Sequence, residues 1–300
     1  MRVFVTGASG FIGSAIVQEL LNNNHQVIGL ARSDASAAAV AAAGAEVHRG
    51  SIDDASSLRA GVAKADAVIH TAFNHDFSKF KENCENDRRV IDALGSALVG
   101  SARPLVVTSG IAILPKGKLV SEDAMPATGP AAHPRAASEE AARAVGAQGV
   151  NVSIVRLPPS VHGAGDHAFI PLLIDLARRN GVSVHVGDGA NRWPAVHRLD
   201  TARLYRLAVE KAANGVCYHA VGEEGVPFRD IAVVIGQGLN VPLVSKTPEE
   251  AAAYFGWFEH FAVMDVPASS VKTSAALGWQ PKEAGLIADI QQADYFKKAV

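Results

Sequence analysis

Thr6-Gly7-Ala8-Ser9-Gly10-Phe11-Ile12-Gly13 is the stretch that decides the fold. It follows an apolar, β-branched run, Arg2 to Thr6, which reads as a strand. It opens a helical run through Ser14 to Leu21, with Ile12, Ile16 and Leu20 at helical spacing. Glycines in this context permit a tight turn, bring the backbone close to a diphosphate and let the helix pack against the strand. The helix N-terminus then faces the phosphate charge. Thr6, Gly7, Ser9, Gly10, Phe11, Ile12 and Gly13 are therefore candidate dinucleotide contacts, against the plainer alternative of a structural turn.

Outward from the loop, strand and helix alternate. Gln26 to Leu30 reads as a second strand, followed by an alanine-rich helix around 37–43. Glu46 to His48, Ala67 to His70, Leu105 to Thr108 and Val152 to Arg156 are further short strands, with helices expected over Asp87 to Val99 and Ser138 to Val145. Such alternation predicts right-handed βαβ units and a parallel α/β sheet of the doubly wound, Rossmann type. After Leu157 the rhythm loosens, with Pro158, Pro159, Gly163, Gly165, Gly187 and Gly189, and helices are expected near 169–180, 200–212 and 228–238. The expected division is a dinucleotide-binding domain of 1–157 plus roughly 195–222. A smaller substrate-binding region would take 158–194 plus 223–300.

The second strand bears on the cofactor. A carboxylate at its end would bind a ribose 2′-hydroxyl and repel a 2′-phosphate. Here the strand runs into Ala31-Arg32-Ser33, with no acid before Asp34. A guanidinium fork beside a hydroxyl suits a phosphate, so Arg32 and Ser33 favour NADP(H) over the alternative of a solvated surface arginine.

Composition excludes other classes. Lys plus Arg total 28 against 30 Asp plus Glu, so no net positive charge calls for nucleic acid or an anionic membrane. With 48% hydrophobic and 19% charged residues the 300-residue chain is too apolar for disorder and long enough for a large core. Cys84 and Cys217 form no CxxC pair, which fits a reduced, cytoplasmic setting. No apolar run is long enough for a membrane span, and the immediate start of a strand leaves no room for a signal peptide.

With the glycine loop, four further segments together resemble the extended short-chain dehydrogenase/reductases, over nearly the whole length. His48-Arg49-Gly50-Ser51-Ile52-Asp53 resembles the segment that contacts adenine, with Ser51 where Asp is usual. Ala67-Val68-Ile69-His70-Thr71-Ala72 resembles the strand beside the cofactor. Ala195-Val196-His197-Arg198-Leu199-Asp200 is similar to the family's Val-His-Val-Asp-Asp segment, and Leu277-Gly278-Trp279-Gln280-Pro281 to its Leu-Gly-Trp-x-Pro. The resemblance implies cofactor contacts from Ser51, Ile52, Thr71, Ala72, Phe73, Thr108, Leu157, Pro158 and Pro159, and a homodimer through two exposed helices.

The family's Tyr-xxx-Lys pair is missing. Aligned on Ser138, Arg135 stands for the proton-donating Tyr and Glu139 for the Lys. None of Tyr205, Tyr218, Tyr254 and Tyr295 has a Lys four residues on. Gly110 takes the catalytic Ser slot, with Ser109 one place early. This pattern resembles the atypical members that keep the cofactor loop and lose the tetrad. Arg135 is a poor proton donor but can polarise a carbonyl. Glu139 reads either as its i,i+4 ion-pair partner or as a group on the nicotinamide ribose. Histidine can supply a proton near neutrality, so His75, His133 and His162 join Ser109 and Arg135 as catalytic candidates.

Asn74, His167 and Trp193 are candidate substrate contacts, with Trp193 open to the alternative of a core plug. Phe255, Trp257, Phe258 and Phe261 read as an apolar helix face or a lid. His162, Asp166 and His167 suggest a metal only weakly, for want of a fourth ligand. The expected function is an NADP(H)-dependent oxidoreductase reducing a small or medium apolar carbonyl, or related unsaturated, compound by direct hydride transfer. The alternatives are a catalytically silent NADP(H) sensor and an enzyme like the sugar-nucleotide epimerases and dehydratases.

Overall fold

The computed structural model describes residues 1–129 and 132–297; the last three residues of the expected substrate region, 298–300, lie outside them. The first half runs β1 (Arg2–Thr6), α1 (Phe11–Asn22), β2 (Gln26–Ala31), α2 (Asp34–Ala42), β3 (Glu46–Arg49), α3 (Ala55–Val62), β4 (Ala67–His70), α4 (Phe80–Ser96), β5 (Leu105–Gly110), α5 (Ala136–Ala147) and β6 (Val152–Leu157). The rest comprises β7 (Ser160–His162), α6 (Phe169–Asn180), β8 (Ser183–Val186), β9 (Arg192–His197), α7 (Arg198–Lys211), β10 (Cys217–His219), β11 (Glu223–Pro227), α8 (Phe228–Leu239), β12 (Leu243–Lys246), α9 (Pro248–Phe255), α10 (Glu259–Ala262), α11 (Val271–Leu277), α12 (Leu286–Ile290) and α13 (Ala293–Phe296).

Seven strands form the central sheet in the order β10-β6-β5-β4-β1-β2-β3, every neighbouring pair parallel. This is the expected doubly wound α/β sheet. Its strands are near-continuous apolar runs because helices cover both faces. On one face Val3, Val5, Ile69 and Val106 pack with Ile16 and Leu20 of α1 and Leu204, Tyr205 and Ala208 of α7. On the other, Phe4, Val68, Leu105 and Val107 pack with Leu58, Ile91, Leu94 and Val145 of α3, α4 and α5. Chain order reverses between β1 and β4, and in such sheets ligands bind beyond the carboxyl ends of the strands at that point.

The smaller region pairs β11-β9-β7 and β12-β8, with α6 and α8 to α10 around a separate aromatic core. Two sequence expectations change here. The helix expected from Asp87 begins at Phe80, because a 3-10 turn over Phe77–Lys79, capped by Asp76, feeds straight into it. Its early buried residues, Asn83, Cys84 and Asp87, are mostly polar and hide the helical period. Trp193 and Pro194, expected in a loop lining the cleft, lie buried in strand β9.

Candidate functional site

The glycine loop sits at the carboxyl end of β1. Gly7 adopts φ +73°, in the left-handed region, and a Cβ there would stand 2.8 Å from the Ala72 nitrogen. At Gly13 a Cβ would come within 2.0 Å of the Gly7 oxygen. Gly10 donates to the Gly7 oxygen at 2.9 Å, closing the turn, and no side chain among the described residues caps α1. The first-turn N–H groups of Phe11, Ile12 and Gly13 are thus left to an anion, with the helix dipole in support. The geometry fits a dinucleotide diphosphate.

Arg32 and Ser33 follow β2, both exposed. Ser33 caps α2 by accepting from the Ser36 N–H, while Arg49 pairs with Asp34 nearby. Past β3, the Ser51 hydroxyl donates to Asp53 and Ile52 packs on the core. Past β4, the Thr71 hydroxyl donates to the Thr6 oxygen at 2.8 Å, and the Ala72 N–H approaches the Thr6 hydroxyl at 3.4 Å. Leu157 lies opposite Gly110 in the sheet; Pro158, buried, and half-buried Pro159 follow.

A buried polar chain starts at the loop. The Thr6 hydroxyl meets His70 Nδ1 at 2.7 Å, and the opposite ring nitrogen meets Asp87 Oδ1 at 2.9 Å. The second Asp87 oxygen accepts from Arg135 Nη1 at 2.6 Å and from the Ser138 hydroxyl. Arg135 Nη2 donates to the Thr108 oxygen at 3.1 Å. The Thr108 hydroxyl donates to the His70 oxygen and meets the Tyr205 hydroxyl at 2.6 Å. Burial opposes the Asp87 charge, yet Arg135 and the hydrogen bonds from His70 and Ser138 hold its carboxyl below the ordinary carboxylate value. Burial alone drives the Tyr205 phenol up, so it is no proton donor near neutrality.

Arg135 is therefore fixed at the strand ends with its guanidinium 4.2 Å from the centre of the Phe73 ring. Around it stand His75, 5.2 Å from Phe73, and His133, 5.7 Å from Phe80. Phe77 stacks on Trp257 at 4.9 Å. His75 is exposed at the surface, but the protein packed around its ring, then Arg135 and His167, lower its pKa; burial, then Lys116, His260 and Arg135, lower that of His133. Both imidazoles are thereby biased toward the neutral form. Of the lid candidates, Trp257 is exposed while Phe255, Phe258 and Phe261 are core.

Other candidates lie elsewhere. Glu139 pairs with neither Arg135 nor open space: it is fully buried and accepts from Nε and Nη2 of Arg156, at 2.7 and 2.8 Å. The i,i+4 expectation fails because α5 lays Glu139 over β6, where the buried Arg156 requires a counter-charge. Ser109, also buried, lies beside it. His162 is buried with Nδ1 2.7 Å from Asp289, and Trp193 is a core residue donating its indole N–H to the Phe261 oxygen. His167 is exposed and stands 5.7 Å from Phe11 across the mouth; Asn74 is exposed and accepts from the Asp76 N–H. Asp166 and the His162 partner Asp289 both accept from the Tyr295 hydroxyl, His167 turns to the Gly165 oxygen, and no group of three such side chains among the described residues is placed to hold a metal ion. Sequence reasoning missed Asp87, Tyr205 and the role of His70. The one available signal was a histidine closing an otherwise apolar strand.

Residues 3–221 match the NAD dependent epimerase/dehydratase family. The chain belongs to that family. An uncharacterised protein of Schizosaccharomyces pombe is 49% identical over 99% of this chain and 100% of its own length. A 2-alkyl-3-oxoalkanoate reductase of Stenotrophomonas maltophilia is 28% identical over 85% of this chain and 80% of its own. The structure of DesIV, a dTDP-glucose 4,6-dehydratase of Streptomyces venezuelae with NAD and TYD bound, superposes with a TM-score of 0.77. It covers 99% of this chain and 96% of that one at 23% identity, and shares the fold. This family member is an oxidoreductase of the dehydrogenase/reductase type, with a site shaped for a nicotinamide dinucleotide. No helix among the described residues is long and apolar enough to cross a membrane.

Proposed function

We propose that this chain is an NADP(H)-dependent reductase of small or medium apolar carbonyl compounds. The observation that carries the reading is Arg135, locked by Asp87 and Thr108 where a proton-donating tyrosine stands in the family's pattern, beneath an aromatic wall. Residues 6–13 would hold the dinucleotide, with Arg32 and Ser33 on a 2′-phosphate, and the bound cofactor would supply the hydride. Arg135 polarises the substrate carbonyl and stabilises the charge that develops on its oxygen. The aromatic side chains of residues 73–80 and Trp257 accept an apolar substrate and exclude water. The proton comes from His75, His133 or a water held between them. Because both histidines are shifted down, kcat/KM should rise as pH falls through the acid side of neutrality if either one is the donor.

The test is loss of NADPH absorbance against ketones, aldehydes and enones, with wild-type protein and the Arg135→Ala variant. Turnover that drops by about 10²- to 10³-fold in the variant, with NADPH affinity kept, is the expected result. NADPH binding without turnover of any panel member would favour the sensor reading instead. Arg32→Ala should weaken NADPH and leave NADH unaffected; equal affinity of the wild-type protein for both would remove the NADP(H) preference.

A further inference from the structure

Arg198 opens α7 immediately beside the glycine loop, and its surroundings do not account for its charge. Its guanidinium lies 4.6 Å from the centre of the Phe11 ring. Nη2 donates to the Ser14 hydroxyl at 3.0 Å and Nη1 to the Ala164 oxygen at 2.6 Å. The buried Nε has no partner, and among the described residues no carboxylate pairs with this arginine. The nearest acid in its own first turn, Asp200, is engaged by Arg203 and by the N–H groups of Lys282 and Glu283. Burial accordingly pushes the guanidinium pKa down rather than up.

The placement is electrostatically adverse as it stands. Arg198 occupies the first position of α7 and also touches the first turn of α1, and both helix N-termini carry partial positive charge. A half-buried cation is retained between two such ends when an anion completes the set. The uncapped N–H groups of Phe11, Ile12 and Gly13 belong to the same turn of α1 that Arg198 touches, and they too call for an anion. In the family's Val-His-Val-Asp-Asp pattern the matching position is a valine, so this cation is a feature of this chain's own site.

We infer that Arg198, which ties the loop at 163–166 to the first turn of α1, is a further ligand of the cofactor diphosphate. Arg32 would read the 2′-phosphate at one end of the cofactor while Arg198 holds the diphosphate common to NADPH and NADH. The inference rests on the dinucleotide reading of the site and is independent of which carbonyl is reduced.

Binding of NADPH, NADH and adenosine 2′-monophosphate to the full chain tests this, followed by calorimetry or by quenching of protein fluorescence. Arg198→Ala should weaken NADPH and NADH alike, by about ten- to a hundredfold, as removal of one charge-assisted donor set does. Its affinity for adenosine 2′-monophosphate, which has no diphosphate, should stay unchanged. Arg198→Lys should recover part of the loss and guards against a folding defect in the alanine variant. Equal dinucleotide affinity in wild type, Arg198→Ala and Arg198→Lys would overturn the inference, as would a parallel loss for the monophosphate, which would mark a structural strap only. The same titrations with Arg32→Ala keep the two readings apart: an unchanged NADPH affinity there defeats the NADP(H) preference and leaves the Arg198 result standing.

Discussion

At the glycine-loop end of the cleft the loop itself offers backbone N–H donors within residues 6–13, whereas around Arg135 the polar groups are side chains from β1, β4, α4, β5, α5 and α7. The first end needs only a local backbone path that glycine allows. The second needs six elements to arrive together, with each buried polar atom satisfied by another. The difference shows where a fold of this kind is free to change its chemistry. A diphosphate site tolerates little variation at its glycines, while the network behind Arg135 could be rebuilt around other side chains without disturbing the sheet.

The largest expected effect tests the local end. Gly13→Val places a Cβ where the Gly7 oxygen lies 2.0 Å away, so the turn must open. All measurable NADPH and NADH binding should vanish while far-UV circular dichroism stays close to wild type; retained binding would mean that the loop is not the diphosphate site. Next comes the assembled end. Asp87→Ala strips His70, Arg135 and Ser138 of a shared acceptor and leaves the partly buried Arg135 without its counter-charge, which should cost about 3 kcal/mol of stability in urea unfolding. A loss below about 1 kcal/mol would show that the network does not hold the reaction end together.

A smaller effect concerns the other buried ion pair on α5. His219 donates from Nδ1 to the Ser269 oxygen at 2.8 Å and presents its other nitrogen to Arg156 at 3.3 Å, an arrangement suited to the neutral ring. Burial pushes its pKa down to about 4 from 6.5, so between those values the unfolded chain binds a proton that the native chain does not. Stability should therefore be complete above pH 6.5 and decline as pH falls toward 4, by on the order of 3 kcal/mol. Urea midpoints across that window check the slope, and the His219→Gln variant should flatten it.

Much of the fold was legible, and the unread parts have physical causes. The strand–glycine–helix order and the apolar strand runs were local signals, and they carried the parallel sheet and the cofactor loop. The start of α4 was obscured because its buried face is built from Asn83, Cys84 and Asp87 rather than from aliphatic residues. Arg135 and Glu139 stand four apart, the spacing of an ion pair on one helix. Yet one partner came from 48 residues away in α4 and the other from 17 residues away in β6.

Taken alone, the sequence determined the doubly wound sheet, the glycine cradle and the absence of a Tyr-xxx-Lys pair. Those properties depend on backbone dihedrals, hydrophobic period and residue identity, all of which are local. Only the tertiary structure decided that Arg135 faces the strand ends on Asp87, that Glu139 is buried on Arg156, that Trp193 is core, and that Arg198 stands uncompensated beside the loop. Charge pairing is settled by distance and burial, and a chain brings its distant charges together only when it has folded.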